Sequence, residues 1–235
     1  MPFQQISAPS LRELFVQQLE GLILSGELRP GDHLPTEREL ADEMKISKTV
    51  VHEGLRELHR LGFLQIESRK GVTVADYAQT GSLETLMAIM DYNGGTLGRE
   101  EIRSILEVRW GLEQMALRRV IDYASDEDLE RLGAFVDALG KLPTAAQAAD
   151  IAFRFHHEMT LMGGNHILPL IYTSFRVPCT ALWIRFCRKY GVEALYRNIE
   201  ELYRLLLNRD LEGALRWSTT YLEEAIRGHQ QIYHA

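Results

Sequence analysis

The sequence predicts a mainly α-helical protein, in which a winged helix-turn-helix of three helices and a β-hairpin precedes an all-α bundle of about six or seven helices. Apolar residues recur at helical spacing through residues 11–60, with two short interruptions. Residues 64–74 alternate between apolar and polar around a polar turn, which is typical of a two-stranded hairpin. After Asp76 the apolar residues return to helical spacing for the rest of the chain.

The first two helices have recognisable ends. Gly26 and then Pro30-Gly31 end the first helix, because glycine and proline interrupt regular structure. Thr36 and Glu39 form a T-x-x-E capping box, which pairs two backbone donors at the start of the second helix. The apolar side of the first helix consists of Leu11, Leu14, Phe15, Leu19, Leu22 and Ile23.

The third helix begins after Ser47, a favourable N-cap, and ends at Gly62. The residues on its apolar face are Val51, Leu55 and Leu58, and those on its opposite face are Lys48, Thr49, His52 and Arg56. The hairpin that follows has a basic turn at residues 68–71. Such a hairpin after three helices is the wing of a winged helix.

Beyond this wing the pattern is helical, with breaks at Asn93-Gly94-Gly95, Ser125, Pro143, Gly163-Gly164 and Gly191. The predicted helices span residues 81–92, 99–122, 126–140, 144–162, 166–189, 193–207 and 210–232. The change of period after residue 76 divides the chain into a domain at 1–76 and a helical domain at 77–235.

Charge and composition limit the class of protein. The 235-residue chain has a net charge of −7, but residues 45–75 hold six basic and three acidic residues, a local charge of +3. DNA contacts only one face of a protein, so the local charge is the relevant one. The sequence has no apolar run long enough for a membrane span and no signal sequence, so we expect a cytoplasmic protein. Cys179 and Cys187 lie in one predicted helix, about 12 Å apart along its axis, too far for a disulfide.

Two short helices, a tight turn and a third helix with a polar outer face suit insertion into the major groove of DNA. We expect Lys48, Thr49 and His52 to reach base edges. The predicted contacts to phosphate or to a minor groove come from Arg38, Arg69 and Lys70. The predicted DNA-binding set is completed by Thr36, Ser47, Arg56 and Gly71. The alternatives are that these charges only solvate exposed helices, or that the winged helix binds protein.

Residues 30–74, PGDHLPTERELADEMKISKTVVHEGLRELHRLGFLQIESRKGVTV, resemble the winged helix of the GntR family. The resemblance implies DNA binding, with Arg38 contacting DNA from the second helix. Lys48 and His52 both stand where that family usually has arginine. Lysine lacks the bidentate fork that arginine presents to guanine, and a neutral histidine is a weaker phosphate partner. We therefore do not expect the usual operator of the family.

The helical part resembles the FadR branch of the same family. The matching stretches are Leu106-Glu107-Val108-Arg109 with Glu113, Asp126-Glu127-Asp128-Leu129, Phe155-His156 with Gly164-Asn165, and Asp210 with Ala214. Many members of this branch hold a divalent metal through one aspartate and three histidines, but here the matching positions are Ala152, His156, Ile199 and Tyr221. Only His156 remains as a weak candidate ligand. We therefore expect no metal cofactor and a hydrogen-bonded pocket or core position for His156.

In lacking these metal ligands, the chain resembles the fatty-acid-responsive FadR proteins, whose effectors are acyl-CoA thioesters. We therefore expect an organic acid or an acyl-CoA as effector. A pocket for an anion needs cations inside an apolar cavity. The cationic candidates are Arg109, Arg176 and Arg185. The rest of the predicted effector set consists of His156, Tyr172 and Tyr221. The alternative for each arginine is a structural ion pair or a surface position.

These features predict a transcription regulator whose affinity for double-stranded operator DNA is changed by a small-molecule effector. We expect a homodimer, because one recognition helix covers only a half-site. Two alternatives are a metal-dependent FadR-type sensor with a rearranged site and a helical metalloenzyme built on His156-His157-Glu158. The sequence lacks the H-E-x-x-H motif, a nucleophile elbow and a phosphate-binding loop, so we predict no enzymatic activity.

Overall fold

The computed structural model describes residues 9–92 and 99–233, and it contains the predicted winged helix-turn-helix followed by an all-α bundle. The elements of the first part are α1 (Leu11–Leu24), α2 (Glu37–Met44), α3 (Lys48–Arg60), β1 (Leu64–Glu67), β2 (Gly71–Val74), α4 (Tyr77–Thr80) and α5 (Leu83–Tyr92). The bundle consists of α6 (Arg99–Tyr123), α7 (Asp126–Gly140), α8 (Ala145–Met162), α9 (Leu168–Ser174), α10 (Arg176–Tyr190), α11 (Val192–Leu207) and α12 (Leu211–Ile226).

The predicted caps are present at the helix-turn-helix. The Thr36 hydroxyl accepts a hydrogen bond from the Glu39 N–H, and the Glu39 carboxylate accepts one from the Thr36 N–H. Ser47 caps α3 by accepting from the N–H of Val50. Between them Lys45 adopts a left-handed conformation, with φ of 55°, which makes the turn tight. These caps fix where α3 begins, and therefore which side chains lie on its first turns.

The wing is a two-stranded antiparallel hairpin in which Leu64 pairs with Val74 and Glu67 pairs with Gly71. His33 forms an isolated antiparallel bridge to Thr73, so the segment before α2 pairs briefly with β2. The core beneath the wing and the helices consists of Phe15, Leu19, Ile23, Leu40, Val51, Leu55, Leu58, Phe63, Leu64 and Val74. Most of the apolar side chains predicted on α1 and α3 thus meet in one core, whereas Leu11 and Leu14 at the start of α1 are exposed.

The internal contacts of the chain divide it into Met1–Gly94 and Gly95–Ala235, a later boundary than the predicted one at 76/77. The physical reason is that α4 and α5 pack on the winged helix. Tyr77 makes an edge-on contact with Phe63, with ring centroids 5.6 Å apart. Ala88 and Ile89 pack against the same core, and Arg60 of α3 forms an ion pair with Glu84 of α5 at 2.8 Å.

Helix α8 lies at the centre of the bundle, in contact with α6, α7, α9, α10 and α11. Its buried face includes Ala148, Ala149 and Ala152, whose small side chains allow neighbouring helices to approach closely. Cys179 and Cys187 of α10 are both buried free thiols. No helix within residues 9–92 and 99–233 is long and apolar enough to cross a bilayer.

Two helices of the bundle differ from the prediction. The single helix expected at 166–189 is divided into α9 and α10 at Phe175. Pro178 explains the break, because proline has no N–H and its ring clashes with the preceding turn, so it is tolerated only in the first turn of a helix. Helix α12 ends at Ile226, before Gly228, and not at 232.

Gly54 lies in the middle of α3 and packs directly against α1. A Cβ at this position would lie 2.7 Å from Cε1 of the buried Phe15 ring and closer still to Cδ1. We expect Gly54→Ala to lower the free energy of unfolding of the first unit by about 1 kcal/mol, because the cost of overpacking exceeds the gain of about 1 kcal/mol in helix propensity. Urea denaturation followed by circular dichroism measures this.

Two further variants test that explanation. Phe15→Leu in the Gly54→Ala background is expected to recover part of the lost stability. Gly111→Ala in α6 is the matched control, since nothing lies within 4 Å of its Cβ position, and it should stabilise by up to about 1 kcal/mol. A Gly54→Ala protein as stable as the wild type would contradict the packing argument.

Candidate functional site

The residues of α3 that were predicted to contact DNA lie together on its outer face. Lys48, Thr49, His52 and Arg56 are exposed, whereas Val51, Gly54, Leu55 and Leu58 face the core. The capping of α3 at Ser47 places the first three of these exposed residues on its first two turns. That is the part of a recognition helix that meets base edges in helix-turn-helix proteins.

Glu37, on the first turn of α2, joins two of these residues. Its Oε1 lies 2.7 Å from Nδ1 of His52, and its Oε2 lies 3.6 Å from Nζ of Lys48. The hydrogen bond from His52 is the main cause that lowers the pKa of the Glu37 carboxyl below its ordinary value, and the charge of Lys48 adds to it. Glu37 was not among the predicted site residues, although it lies in the stretch that carries the resemblance.

The other predicted DNA contacts surround this face. The Arg38 side chain is 88% exposed and only loosely paired with Asp42, at 3.9 Å. In the wing, Lys70 is paired with Glu67 at 2.7 Å, while Arg69 and Gly71 take left-handed conformations that form the turn. The hydroxyls of Thr36 and Ser47 are used as helix caps. Arg60 contributes to the basic count but is held by Glu57 and Glu84, so the charge on the reading face is smaller than the sequence count.

The bundle contains a buried polar cluster, formed by Arg109 and Glu113 of α6 and His156 of α8. Nη2 of Arg109 lies 3.4 Å from Oε2 of Glu113, and Nε2 of His156 lies 3.5 Å from the same oxygen. The second carboxylate oxygen of Glu113 accepts a hydrogen bond from the hydroxyl of Tyr221 in α12. Glu113 therefore bonds to Arg109 within α6 and to Tyr221 of α12, and its carboxylate lies beside His156 of α8.

Two aromatic rings lie beside the Arg109 guanidinium. Its Cζ lies 4.3 Å from the centroid of the Trp183 ring and 5.9 Å from that of Tyr221, which are cation–π distances. Burial disfavours the charge of Arg109, but Tyr221 and Glu113 outweigh it and raise the pKa of Arg109 above its ordinary value. The guanidinium therefore stays charged inside the bundle.

A cavity of about 40 Å³ opens beside this cluster. Its polar lining comes from Arg109, His156, Asn198 and Tyr221, and its apolar lining from Leu106, Leu182, Trp183, Phe186, Leu195, Ile199, Leu202, Leu222, Ala225 and Ile232. Within the described residues, the buried side-chain atoms with no hydrogen-bond partner are Nε of Arg109, Nε1 of Trp110, Nε2 of His156, the hydroxyl of Tyr172 and Oγ of Ser218. Such orphaned groups are rare in native proteins and call for an explanation.

The structure brings together only part of the predicted effector set. Arg109, His156 and Tyr221 line the cavity, and buried Tyr172 lies close enough for the charge of Arg109 to act on its hydroxyl. Arg176 is instead on the surface, 58% exposed, paired with Asp150 at 2.9 Å and packed over the Phe153 ring. The sequence predictions also missed Trp183 and Asn198.

The positions matched to the metal ligands of the FadR branch also converge on this cavity. His156, Ile199 and Tyr221 line it, and the Ala152 carbonyl accepts a hydrogen bond from His156 Nδ1 at 2.8 Å. The donor set does not fit a divalent cation, because it offers one imidazole and one carboxylate that already faces the Arg109 guanidinium. Across residues 9–92 and 99–233, no group of three potential ligands could hold a metal ion.

His156 is expected to make the stability of the helical unit depend on pH. Burial, with a smaller contribution from Arg109 that Glu113 opposes, lowers the pKa of His156 to about 4. As the pH falls below about 6.5 the unfolded chain takes up a proton that the folded chain does not, so the stability present above that pH is lost towards pH 4. We expect a loss of about 2 kcal/mol between pH 7 and pH 5.

Urea denaturation at both pH values measures this loss. His156→Gln should show a pH dependence smaller by about that amount, whereas His166→Gln, at an exposed histidine, should behave as the wild type. Equal pH dependence in the His156→Gln and wild-type proteins would contradict the assignment.

Known proteins share both parts of this architecture. Residues 11–74 match the family described as bacterial regulatory proteins, gntR family, and residues 104–224 match the FCD domain. The HTH-type transcriptional regulator LutR of Bacillus subtilis is 24% identical over 88% of this chain and 97% of its own length. A fatty acid metabolism regulator protein of Shewanella baltica is 28% identical over 83% of this chain and 82% of its own.

A solved structure has the same fold. It is that of Lar, described as controlling the expression of the Listeria monocytogenes agr system, and it superposes with a TM-score of 0.62 at 18% identity, over 94% of this chain and 97% of Lar. The DNA-binding part and the effector part are thus each matched, in the expected order. The chain belongs to the GntR family of bacterial DNA-binding transcription regulators, in the branch that carries an FCD effector domain.

Proposed function

We propose that this regulator binds an inverted-repeat operator as a homodimer, and that a small organic acid held by Arg109 in the helical unit changes its affinity for that operator without a metal ion. The observation that carries the proposal is the buried guanidinium, whose Nε has no partner and which lines a mostly apolar cavity. A few polar groups in an apolar cavity is the usual composition of a small-molecule site.

The hydrogen-bonding capacity of Arg109 supports an anionic ligand. A guanidinium has five N–H donors, yet the contact to Glu113 is long, at 3.4 Å. Nε of Arg109 has no hydrogen-bond partner, so the edge of the guanidinium that carries this N–H is available to an additional acceptor. A carboxylate fits that edge, since arginine and carboxylate pair through two parallel hydrogen bonds.

His156 adds a second requirement. Its Nδ1 lies 2.8 Å from the Ala152 carbonyl, which can only accept, so Nδ1 carries the proton of the neutral ring. Nε2 is then an acceptor without a donor. A ligand with both a carboxylate and a hydroxyl satisfies Arg109 and His156 at once, which favours a short hydroxy acid.

The size of the cavity favours a small acid over an acyl-CoA thioester. A volume of about 40 Å³ leaves room for only about three water molecules, since each needs about 10–15 Å³ of such space. A short acid needs only modest side-chain movement to enter. A coenzyme A thioester would require the bundle to open much further.

The proposed effector site is tested by adding short carboxylic and hydroxy acids to the protein bound to its operator and measuring affinity by fluorescence anisotropy. We expect Arg109→Lys to weaken the response about tenfold or more in acid concentration, because lysine keeps the charge but loses the fork. Arg176→Lys is the matched control, since Arg176 is on the surface, and it should respond as the wild type.

Two results would contradict this site. One is an Arg109→Lys protein that folds and responds to the same acid concentrations as the wild type. The other is a response that disappears when the purified protein is treated with a chelator, since that would make a bound metal part of the site.

Operator binding is expected to be strongly salt-dependent, because each neutralised phosphate releases counterions. Arg38→Ala should make the negative slope of log affinity against log salt concentration less steep by about 2 for a dimer. Each subunit loses one phosphate contact, and each contact contributes about 0.9 to the steepness of the slope. Arg197→Ala, on the exposed face of α11, is the control and should leave the slope unchanged. An unchanged slope for Arg38→Ala, or tight binding of a half-site by a monomer, would contradict this arrangement.

A further inference from the structure

His52 is held by Glu37 in a way that fixes its tautomer. Nδ1 of the ring lies 2.7 Å from Oε1 of Glu37. An ionised carboxylate only accepts hydrogen bonds, and the pKa of Glu37 is lowered by this contact, so the carboxylate is ionised at neutral pH. Nδ1 must then carry the proton. In the neutral ring this leaves Nε2 as a hydrogen-bond acceptor.

The second nitrogen is directed away from Glu37. The two ring nitrogens point in divergent directions, so a ring whose Nδ1 faces α2 presents Nε2 on the other side. The His52 side chain is 53% exposed, and no partner of Nε2 occurs among the residues that the structure describes. An oriented acceptor thus stands on the second turn of the recognition helix.

The chemistry of the major groove makes this acceptor selective. Guanine presents two acceptors there, N7 and O6, whereas cytosine and adenine present amino groups at N4 and N6. We propose that neutral His52 reads an amino group, of cytosine or adenine, in each half-site of the operator. The inference rests on operator binding by the winged helix and adds the kind of base that this position selects.

Lys48 lies one turn before His52 and has the opposite hydrogen-bonding character. Its Nζ is 3.6 Å from the other oxygen of Glu37, so one carboxylate orients both side chains. Lysine only donates, which suits the acceptors of guanine. A donor and an acceptor side by side on one helix face therefore select two different kinds of base within one half-site, where two arginines would select guanine at both.

Protonation of His52 would reverse its preference, because both nitrogens then donate. The charged and titratable groups around the ring are Glu37 of α2 and Lys48, Arg56 and His59 of α3, while the wing contributes the apolar Ile66 and Val72. Selection at two pH values, 8.0 and 5.5, therefore compares the acceptor form of the ring with its donor form.

The experiment is selection of duplexes with randomised half-sites by the full-length protein at pH 8.0 and pH 5.5. At pH 8.0 we expect one position per half-site to favour adenine or cytosine about tenfold over guanine or thymine. His52→Arg should change that position alone to guanine. Lys48→Arg is the matched control, which leaves the preference for the amino base at that position intact.

Two further selections distinguish a role of His52 in base recognition from an effect on folding. Glu37→Gln replaces the carboxylate by an amide that can accept or donate, so both tautomers are allowed and the preference should weaken while α3 stays folded. At pH 5.5 the wild type should shift towards guanine at the same position.

The proposal is overturned if guanine is preferred at that position at pH 8.0, or if His52→Ala selects the same bases as the wild type at every position. The absence of any selected duplex for the wild type would contradict operator binding itself. Selective binding that is independent of His52 would contradict only the role given to this residue.

Discussion

The buried guanidinium of Arg109 constrains the whole centre of the helical unit. A charge in an apolar interior is tolerated only when partners replace its lost hydration. Glu113 supplies the opposite charge one helical turn away, and Trp183 and Tyr221 supply electron-rich faces. These partners come from α6, α10 and α12, so the position of one side chain determines how three helices must meet.

The same charge determines the state of the nearby histidine. His156 is buried beside Arg109, and a second positive charge there would be repelled as well as poorly hydrated. The ring is therefore neutral, with its proton on the nitrogen that faces the Ala152 carbonyl. Glu37 fixes the proton of His52 in a related way, on an exposed surface. In both units a carbonyl or carboxylate oxygen decides which histidine nitrogen remains an acceptor.

Local sequence signals predicted the winged helix well, because its helices begin at caps such as Thr36 and Ser47 that depend only on neighbouring residues. The break before α10 also has a local cause in Pro178, which the sequence offered and the prediction overlooked. The cavity is different in kind. Helical periodicity cannot tell that Arg109 is enclosed while Arg176 lies on the surface, because both lie on helices with apolar neighbours, and only the packing of distant helices decides which one is covered.

The residues at the positions matched to metal ligands can be understood from the charges in the cavity. Where the resemblance to the FadR branch implies ligands for a divalent cation, this chain has Ala152, Ile199 and Tyr221, none of which supplies an ionised donor at neutral pH. A cation that belongs to the chain itself, Arg109, lies in the same cavity. A covalently attached guanidinium needs no set of anionic ligands to retain it, so Arg109 keeps a positive charge in this cavity whatever residues stand at those positions. On the proposed function, an acid would then meet a fixed positive charge of constant geometry, and its affinity would follow the packing around Arg109 and not the supply of a metal.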